Sequence, residues 1–363
     1  MHPLSCFRFV KRASNQQRLP SASPMALLPW SVAGWKRILV NRCCLSLALF
    51  VSLVPLNGSS QAQSIYRLDP ARVVGPENCA ECHAPMVEAW KATKHFKTFT
   101  ETQGRPAAKE ILSKLGIRRM KSESICIKCH YTFQAVAGES KPIAGVACES
   151  CHGPATDWNL AHSNKEDPQR LMKAEKLGMI RPSNTYALAA NCFACHTVSD
   201  EKLVNVGGHA TGSGFELVSW TQGEIRHNMQ KSAGKVNQEA SPARKRMLYM
   251  VGRALDLEYG LRALANASED GKYAESLIKR VETAKRKLKE IFDATNAEEM
   301  KQILEAGDEA QLRINNGQSL LQAADKIGAA ARKFSSSNDG AKYAAVDSMI
   351  PAPALYKGKV YKP

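Results

Sequence analysis

The chain has 363 residues, 44% of them hydrophobic and 23% charged, and carries a formal net charge of +16. That is a globular composition long enough for two domains, and it excludes a disordered or collagen-like chain. No apolar run approaches the roughly 18 residues of a spanning helix, which excludes a multi-span membrane protein. Aromatic residues make up only 7% of the sequence, thin for a large core of side chains alone, so something else is expected to fill part of it.

Residues 1–62 hold seven basic residues (Arg8, Lys11, Arg12, Arg18, Lys36, Arg37 and Arg42) and no acidic one. Lys36, Arg37 and Arg42 precede the apolar stretch from Cys43 to Val54, after which Pro55 and a polar end lead to Ser60 and Ala62. A basic flank, a short apolar run and small residues before Gln63 make an export signal cleaved before Gln63. The competing reading is a membrane anchor, for which the apolar run is short. Met25 stands at a more usual distance from that run, so residues 1–24 read as a start-site artefact. The expected location is periplasmic, where free thiols tend to oxidise unless they are bonded or capped.

Past residue 62 there are eight cysteines, arranged as four Cys-x-x-Cys pairs, each followed at once by histidine. They are Cys79/Cys82/His83, Cys126/Cys129/His130, Cys148/Cys151/His152 and Cys192/Cys195/His196. This is the attachment pattern of c-type heme: two thiols form thioethers to the porphyrin, and the adjacent histidine reaches the iron. Zinc is the rival, since Cys126/Cys129 and Cys148/Cys151 could form a four-thiolate site. Zinc or disulfides, however, leave four histidines at one fixed offset unexplained. Four covalently attached hemes c are the expected cofactors, and their flat apolar faces would supply the missing core.

Four further histidines follow residue 62: His95, His162, His209 and His227. Four irons and four spare histidines permit a bis-histidine set. His95 lies in a stretch from Met86 to Phe99 that reads as helical, and twelve residues of helix span about 18 Å. His95 is therefore expected to serve a different heme from His83, and His162 is likewise expected to serve a neighbour of His152. His209 and His227 both follow the fourth motif, and spacing alone does not choose between them.

Residues 229–240 read as a polar linker. Ser241-Pro242 is an N-cap and first-turn proline, opening a helix that repeats Met247, Met250, Ala254, Leu257, Leu261 and Leu264. A second helix from about Glu269 repeats Ala274, Leu277, Val281, Ala284, Leu288 and Ile291. Thr295 with Glu298 forms a capping box for a third, and a fourth near residues 317–334 carries Leu320, Leu321, Ala324, Ile327, Ala331 and Phe334. The basic run Lys279 to Lys289 reads as a solvated helix face, Ser335 to Gly340 as a flexible loop, and the chain from Pro351 as extended. The expected organisation is thus a leader at 1–62, a tetraheme domain at 63–228, a linker at 229–240, a helical domain at 241–335 and a tail at 336–363. The fold class is mainly α: a multiheme cytochrome c domain with little regular β structure, then a helical hairpin or small bundle. The helical domain reads as a scaffold on the heme domain in preference to a docking or oligomerisation module.

Asn78-Cys-Ala-Glu-Cys-His83 with His95 beyond it, and Gly145-Val-Ala-Cys-Glu-Ser-Cys-His-Gly-Pro154 with His162 beyond it, resemble the tetraheme cytochrome c-554 family, electron acceptors of hydroxylamine oxidation. The resemblance covers about residues 76–228. It implies that His162 ligates heme 1, His95 heme 3 and His227 heme 4, with heme 2, on His130, five-coordinate. It also implies stacking of heme 1 on heme 3 and of heme 2 on heme 4.

Removing the seven basic residues of the leader leaves +9, and four hemes with ionised propionates, about −1 each when ferric, lower it to about +5. Such a charge fits acidic redox partners and not nucleic acid. The expected function is an exported electron carrier between periplasmic or membrane-bound redox proteins, possibilities including an oxidoreductase. One alternative is an enzyme that reduces or oxidises a small nitrogen compound at an open heme. Another is a structural heme subunit whose C-terminal helices mediate oligomer or complex formation.

Overall fold

The cysteine motifs lie on helices of 4 to 16 residues, and helices of 12 to 24 residues form the C-terminal half. The computed structural model describes residues 67–212 and 214–363; the expected leader and its cleavage site lie outside the described residues. In chain order the helices are α1 (Pro76–Lys91), α2 (Lys94–Glu101), α3 (Pro106–Leu115) and α4 (Ser124–His130). A hairpin of β1 (Thr132–Val136) and β2 (Glu139–Ala144) follows, paired antiparallel. Its two-residue turn puts Ala137 and Gly138 at φ 52° and 82°, the handedness that matches strand twist. Then come α5 (Glu149–His152), α6 (Asn159–Ser163), α7 (Arg170–Lys176), α8 (Thr185–His196), α9 (Glu201–Asn205) and α10 (Leu217–Thr221). The last four are α11 (Pro242–Leu264), α12 (Lys272–Thr295), α13 (Glu298–Glu309) and α14 (Gly317–Ser337). The fold is mainly α, with one two-stranded sheet among the described residues. No described helix is long and apolar enough to cross a membrane.

The two halves are held together differently. Before α8 the apolar clusters are small: Leu112, Met120, Cys126, Ile127, Tyr131 and Phe133 form one, and Ala155, Trp158 and Ala174 another. From α8 onward a single core runs through α11 to α14. α11 is buried all round, with Leu255, Leu257, Leu261 and Leu264 fully enclosed, each stabilising by about 1.5–3 kcal/mol. Tyr186, Ala189 and Phe193 of α8 belong to this same core, so the helix of the fourth motif is built onto the bundle.

Several sequence expectations are refined. The stretch around His95 is two helices, because the Thr93 side chain caps α2 by accepting from Phe96 N at 3.3 Å. Ser241 caps α11 as expected, and the stripe on α12 is buried at each expected position. Thr295 does not open a capping box: its hydroxyl donates to Ile291 O at 2.7 Å, and Ala297 is the residue before α13. Leu321 lies on the outer face of α14, 43% exposed. α14 continues through Ser337, and Ser335, expected in a loop, is buried and accepts from Tyr186 N at 3.1 Å. Arg280 departs from the solvated basic face, turning inward to Asp256 at 2.6 Å. The tail contains a 3-10 turn at Pro353–Leu355 and then docks, Lys357 N donating to Ser219 O and Lys357 O accepting from Glu224 N.

Candidate heme-binding centre

Each motif places its two cysteines three residues apart on a helical turn, so both thiols and the next histidine share one face. Motif one lies within α1, which breaks its helical geometry at His83 (φ −118°, ψ 33°) before Pro85. His130, His152 and His196 are the last residues of α4, α5 and α8. All eight motif cysteines are free thiols. Their neighbours are not those of the four-thiolate zinc grouping: Cys79 lies beside Cys148, and Cys129 beside Cys195. Among the described residues no three or more His, Cys, Asp or Glu side chains gather as a metal-ion site.

The spare histidines are each set against one motif histidine. Ring centroids are 5.8 Å apart for His83 and His162, and 6.3 Å for His130 and His209. They are 6.2 Å apart for His152 and His227, and 6.1 Å for His95 and His196. An imidazole nitrogen sits about 2 Å from a metal it binds and about 1.1 Å from its own ring centre, so two rings on opposite sides of one ion have centroids about 6 Å apart. The donor set therefore fits four six-coordinate irons. The His162 pairing is the one the resemblance implies. His95 and His227 exchange the partners it implies, and His130, implied to lack a partner, faces His209.

Hydrogen bonds orient these rings. His152 Nδ1 lies 2.9 Å from Ile180 O, His209 Nδ1 2.7 Å from Ala210 O, and His227 Nδ1 2.7 Å from Ile225 O. A ring that donates through Nδ1 keeps its Nε2 lone pair for a metal. Burial lowers His95, His130 and His196 to about 4, neighbouring charges adding to the effect: His196 at His95, His209 at His130 and Arg280 at His196. Burial also lowers His152 and His162, even though the Ile180 carbonyl opposes it at His152. These rings are neutral at pH 7, the form that ligates iron.

The motifs fall into two groups. His152 senses His227, His83 and His162, which with the Cys79–Cys148 contact joins motifs one and three. His95 senses His196 and His130, which with the Cys129–Cys195 contact joins motifs two and four. Arg67 spans the groups, donating to Ser150 O at 2.5 Å and to Asn191 Oδ1 at 3.3 Å, while Asn191 donates to Cys151 O at 2.9 Å.

Several supporting residues escaped the sequence reading. Glu149, 1% exposed, accepts from Val74 N, Gly75 N and Ala155 N at 2.8–3.0 Å, so it knits the third motif to the entry of α1. An acid inside an otherwise apolar Gly145–Cys148 and Gly-Pro frame was the available signal. At Gly145 a Cβ would overlap His95 O and Thr98 Oγ1. The next residue donates from Val146 N to His95 O at 3.1 Å, which seats α2 on the third motif. The Thr98 hydroxyl lies 2.7 Å from His95 O and 2.9 Å from His130 O. Phe215 stacks on His196 at 4.4 Å and 14°.

Residues 78–153 match the family model described as cytochrome c554 and c-prime. Cytochrome c-554 of Nitrosomonas europaea is 27% identical over 137 residues, 34% of this chain and 56% of the relative. The chain thus spans about half the length of the curated relative it matches. No solved structure matches. The matches make residues 78–153 similar to the cytochrome c-554 family of c-type cytochromes, and the thiol–thiol–histidine frame found there recurs at Cys192, Cys195 and His196.

Proposed function

We propose that the protein is an exported tetraheme electron carrier working between periplasmic or membrane-bound redox proteins. The carrying observation is the set of four imidazole pairs at 5.8–6.3 Å. In this reading Cys79, Cys82, Cys126, Cys129, Cys148, Cys151, Cys192 and Cys195 hold the porphyrins, and His83, His130, His152 and His196 ligate from one side. His162, His209, His227 and His95 ligate, in that order, from the other. Heme bound there supplies a one-electron couple, and a ligand on both faces favours outer-sphere transfer over substrate binding. The two motif groups support close contact of hemes 1 and 3 and of hemes 2 and 4. The enzyme alternative needs a heme face without a protein ligand, and His209 stands where that face was expected.

The mass of the mature holoprotein should carry the increment of four hemes. Electron paramagnetic resonance of the oxidised protein should give low-spin signals alone, and the reduced protein should form no nitrosyl species. A missing heme increment overturns the tetraheme reading. A high-spin ferric signal with a nitrosyl on reduction overturns the closed-carrier reading and favours small-molecule chemistry.

A further inference from the structure

The segment bearing His209 is tied at both ends to the C-terminal bundle. Upstream, the Glu201 carboxylate accepts from Ser268 N at 3.1 Å, Ser268 Oγ at 2.5 Å and Glu269 N at 3.3 Å. Asn205 at the end of α9 accepts from Tyr273 N at 2.9 Å and donates to Glu269 Oε1 at 3.0 Å. Downstream, Arg280 Nη1 donates to Gly212 O and to His196 O, each at 3.1 Å. That guanidinium is 3% exposed and braced by Asp256.

Between these ties the loop is held to α9 at its start, Gly207 N donating to Lys202 O and Gly208 N to Val204 O, each at 3.1 Å. Gly207 and Gly208 precede His209, whose N–H donates to Leu203 O at 3.1 Å. Gly208 and Gly212 both have φ +77°, a conformation that costs a glycine least. At Gly212 a Cβ would also overlap His196 O, so the loop closes directly onto the end of α8. A glycine-rich loop has much conformational freedom to lose, and the ties to the bundle hold α9 and Gly212, the two ends from which the His209 ring is placed. Ser268, Glu269, Tyr273 and Arg280 all lie outside residues 78–153, the part matched to the family.

We propose that the C-terminal bundle is a positioning device for the second heme. The Glu201 and Asn205 ties and the Arg280 tie hold His209 against His130, so that releasing them opens that iron to a small exogenous ligand. Glu201, Asn205 and Arg280 are positioning residues that touch neither porphyrin nor iron in this account. The inference rests on the bis-histidine reading above.

The test measures carbon monoxide binding to the reduced full-length holoprotein and the high-spin signal of the oxidised form. His209→Ala should make one heme in four high-spin and competent for carbon monoxide. The double variant Glu201→Ala/Asn205→Ala, at partly exposed sites, should raise carbon monoxide binding at that heme at least tenfold over the unaltered protein, with its far-ultraviolet dichroism unchanged. Glu201→Gln, which keeps one acceptor oxygen, should restore closure when Asn205 is intact. Arg280→Lys releases the other end and should open the same heme. If His209→Ala leaves every iron low-spin and indifferent to carbon monoxide, the bis-histidine reading fails. If His209→Ala opens one heme while the folded double variant and Arg280→Lys stay closed, that reading stands and the positioning role is overturned.

Discussion

The rings of His152 and His227 meet at 89°, whereas those of His83 and His162 lie within 20° of parallel. Carbonyl bonds fix the first pair at both Nδ1 atoms, to Ile180 and to Ile225. Ring orientation tunes a ligated metal: parallel imidazoles split the two iron dπ orbitals, and perpendicular ones leave them nearly degenerate. The oxidised protein should therefore give a rhombic low-spin signal from the His83 heme and a strongly anisotropic, high-g signal from the His152 heme. Loss of the high-g signal alone in His227→Ala would assign it. A spectrum with rhombic signals only would contradict the perpendicular pair.

Gly145→Ala is expected to disturb a heme whose attachment motif lies elsewhere in the chain. The new methyl would meet His95 O, the Thr98 hydroxyl and Phe96 O, so α2 must move. Backbone atoms cannot yield as the end of a flexible side chain can, and overpacking of this kind costs about 1–3 kcal/mol. The spectroscopic change should fall on the His196 heme, because His95 faces His196. An unchanged spectrum and melting temperature would show that α2 is free to shift.

Glu149→Ala removes the acceptor for three backbone N–H groups, of Val74, Gly75 and Ala155. An orphaned buried donor costs about 1–3 kcal/mol, and relaxation toward water recovers part of the sum. A loss of about 3 kcal/mol is expected, lowering Tm by about 5–10 °C in a thermal melt. Glu149→Gln keeps one acceptor oxygen and should lose less. Equal losses in the two variants would mean that volume and not hydrogen bonding matters at this position.

The docking of the tail should depend on pH. Lys245 and then the Tyr356 hydroxyl, at 2.8 and 2.7 Å, hold the Glu239 carboxyl below its ordinary 4.5. A carboxyl lowered in the folded state contributes stability above the unfolded value, and that contribution is lost as the pH falls through the folded one. Amide exchange at Lys357, which bonds Ser219 O, should lose protection below about pH 4.5 while the core of α11 keeps it. Glu239→Gln should show the weakened state already at pH 7. Protection independent of pH would place the anchor elsewhere.

What the sequence made legible was whatever repeats. Four thiol–thiol–histidine frames and the stripes on α11 and α12 are periodic, and periodicity survives without coordinates. Which spare histidine meets which motif histidine is a long-range matter. His95 and His196 are far apart in the chain, and only the seating of α2 on Gly145 and the packing of α8 bring them together. Arg280 was misread because a buried guanidinium looks like its solvated neighbours until Asp256 of another helix is placed beside it. Thr295 and Glu298 had capping-box spacing, but the Thr295 hydroxyl turned back to Ile291 O.

The unequal distribution of apolar core bears on how such a chain matures. The first three motifs lie in the part of the chain whose apolar clusters are small, whereas α8 is anchored by Tyr186, Ala189 and Phe193 in the continuous core of the bundle. Porphyrin would thus be a structural prerequisite for the first three sites and only a guest at the fourth. Assembly would then have a direction, opposite to the order of synthesis: the end of the chain completes first and offers a finished surface on which earlier segments settle as each receives its heme.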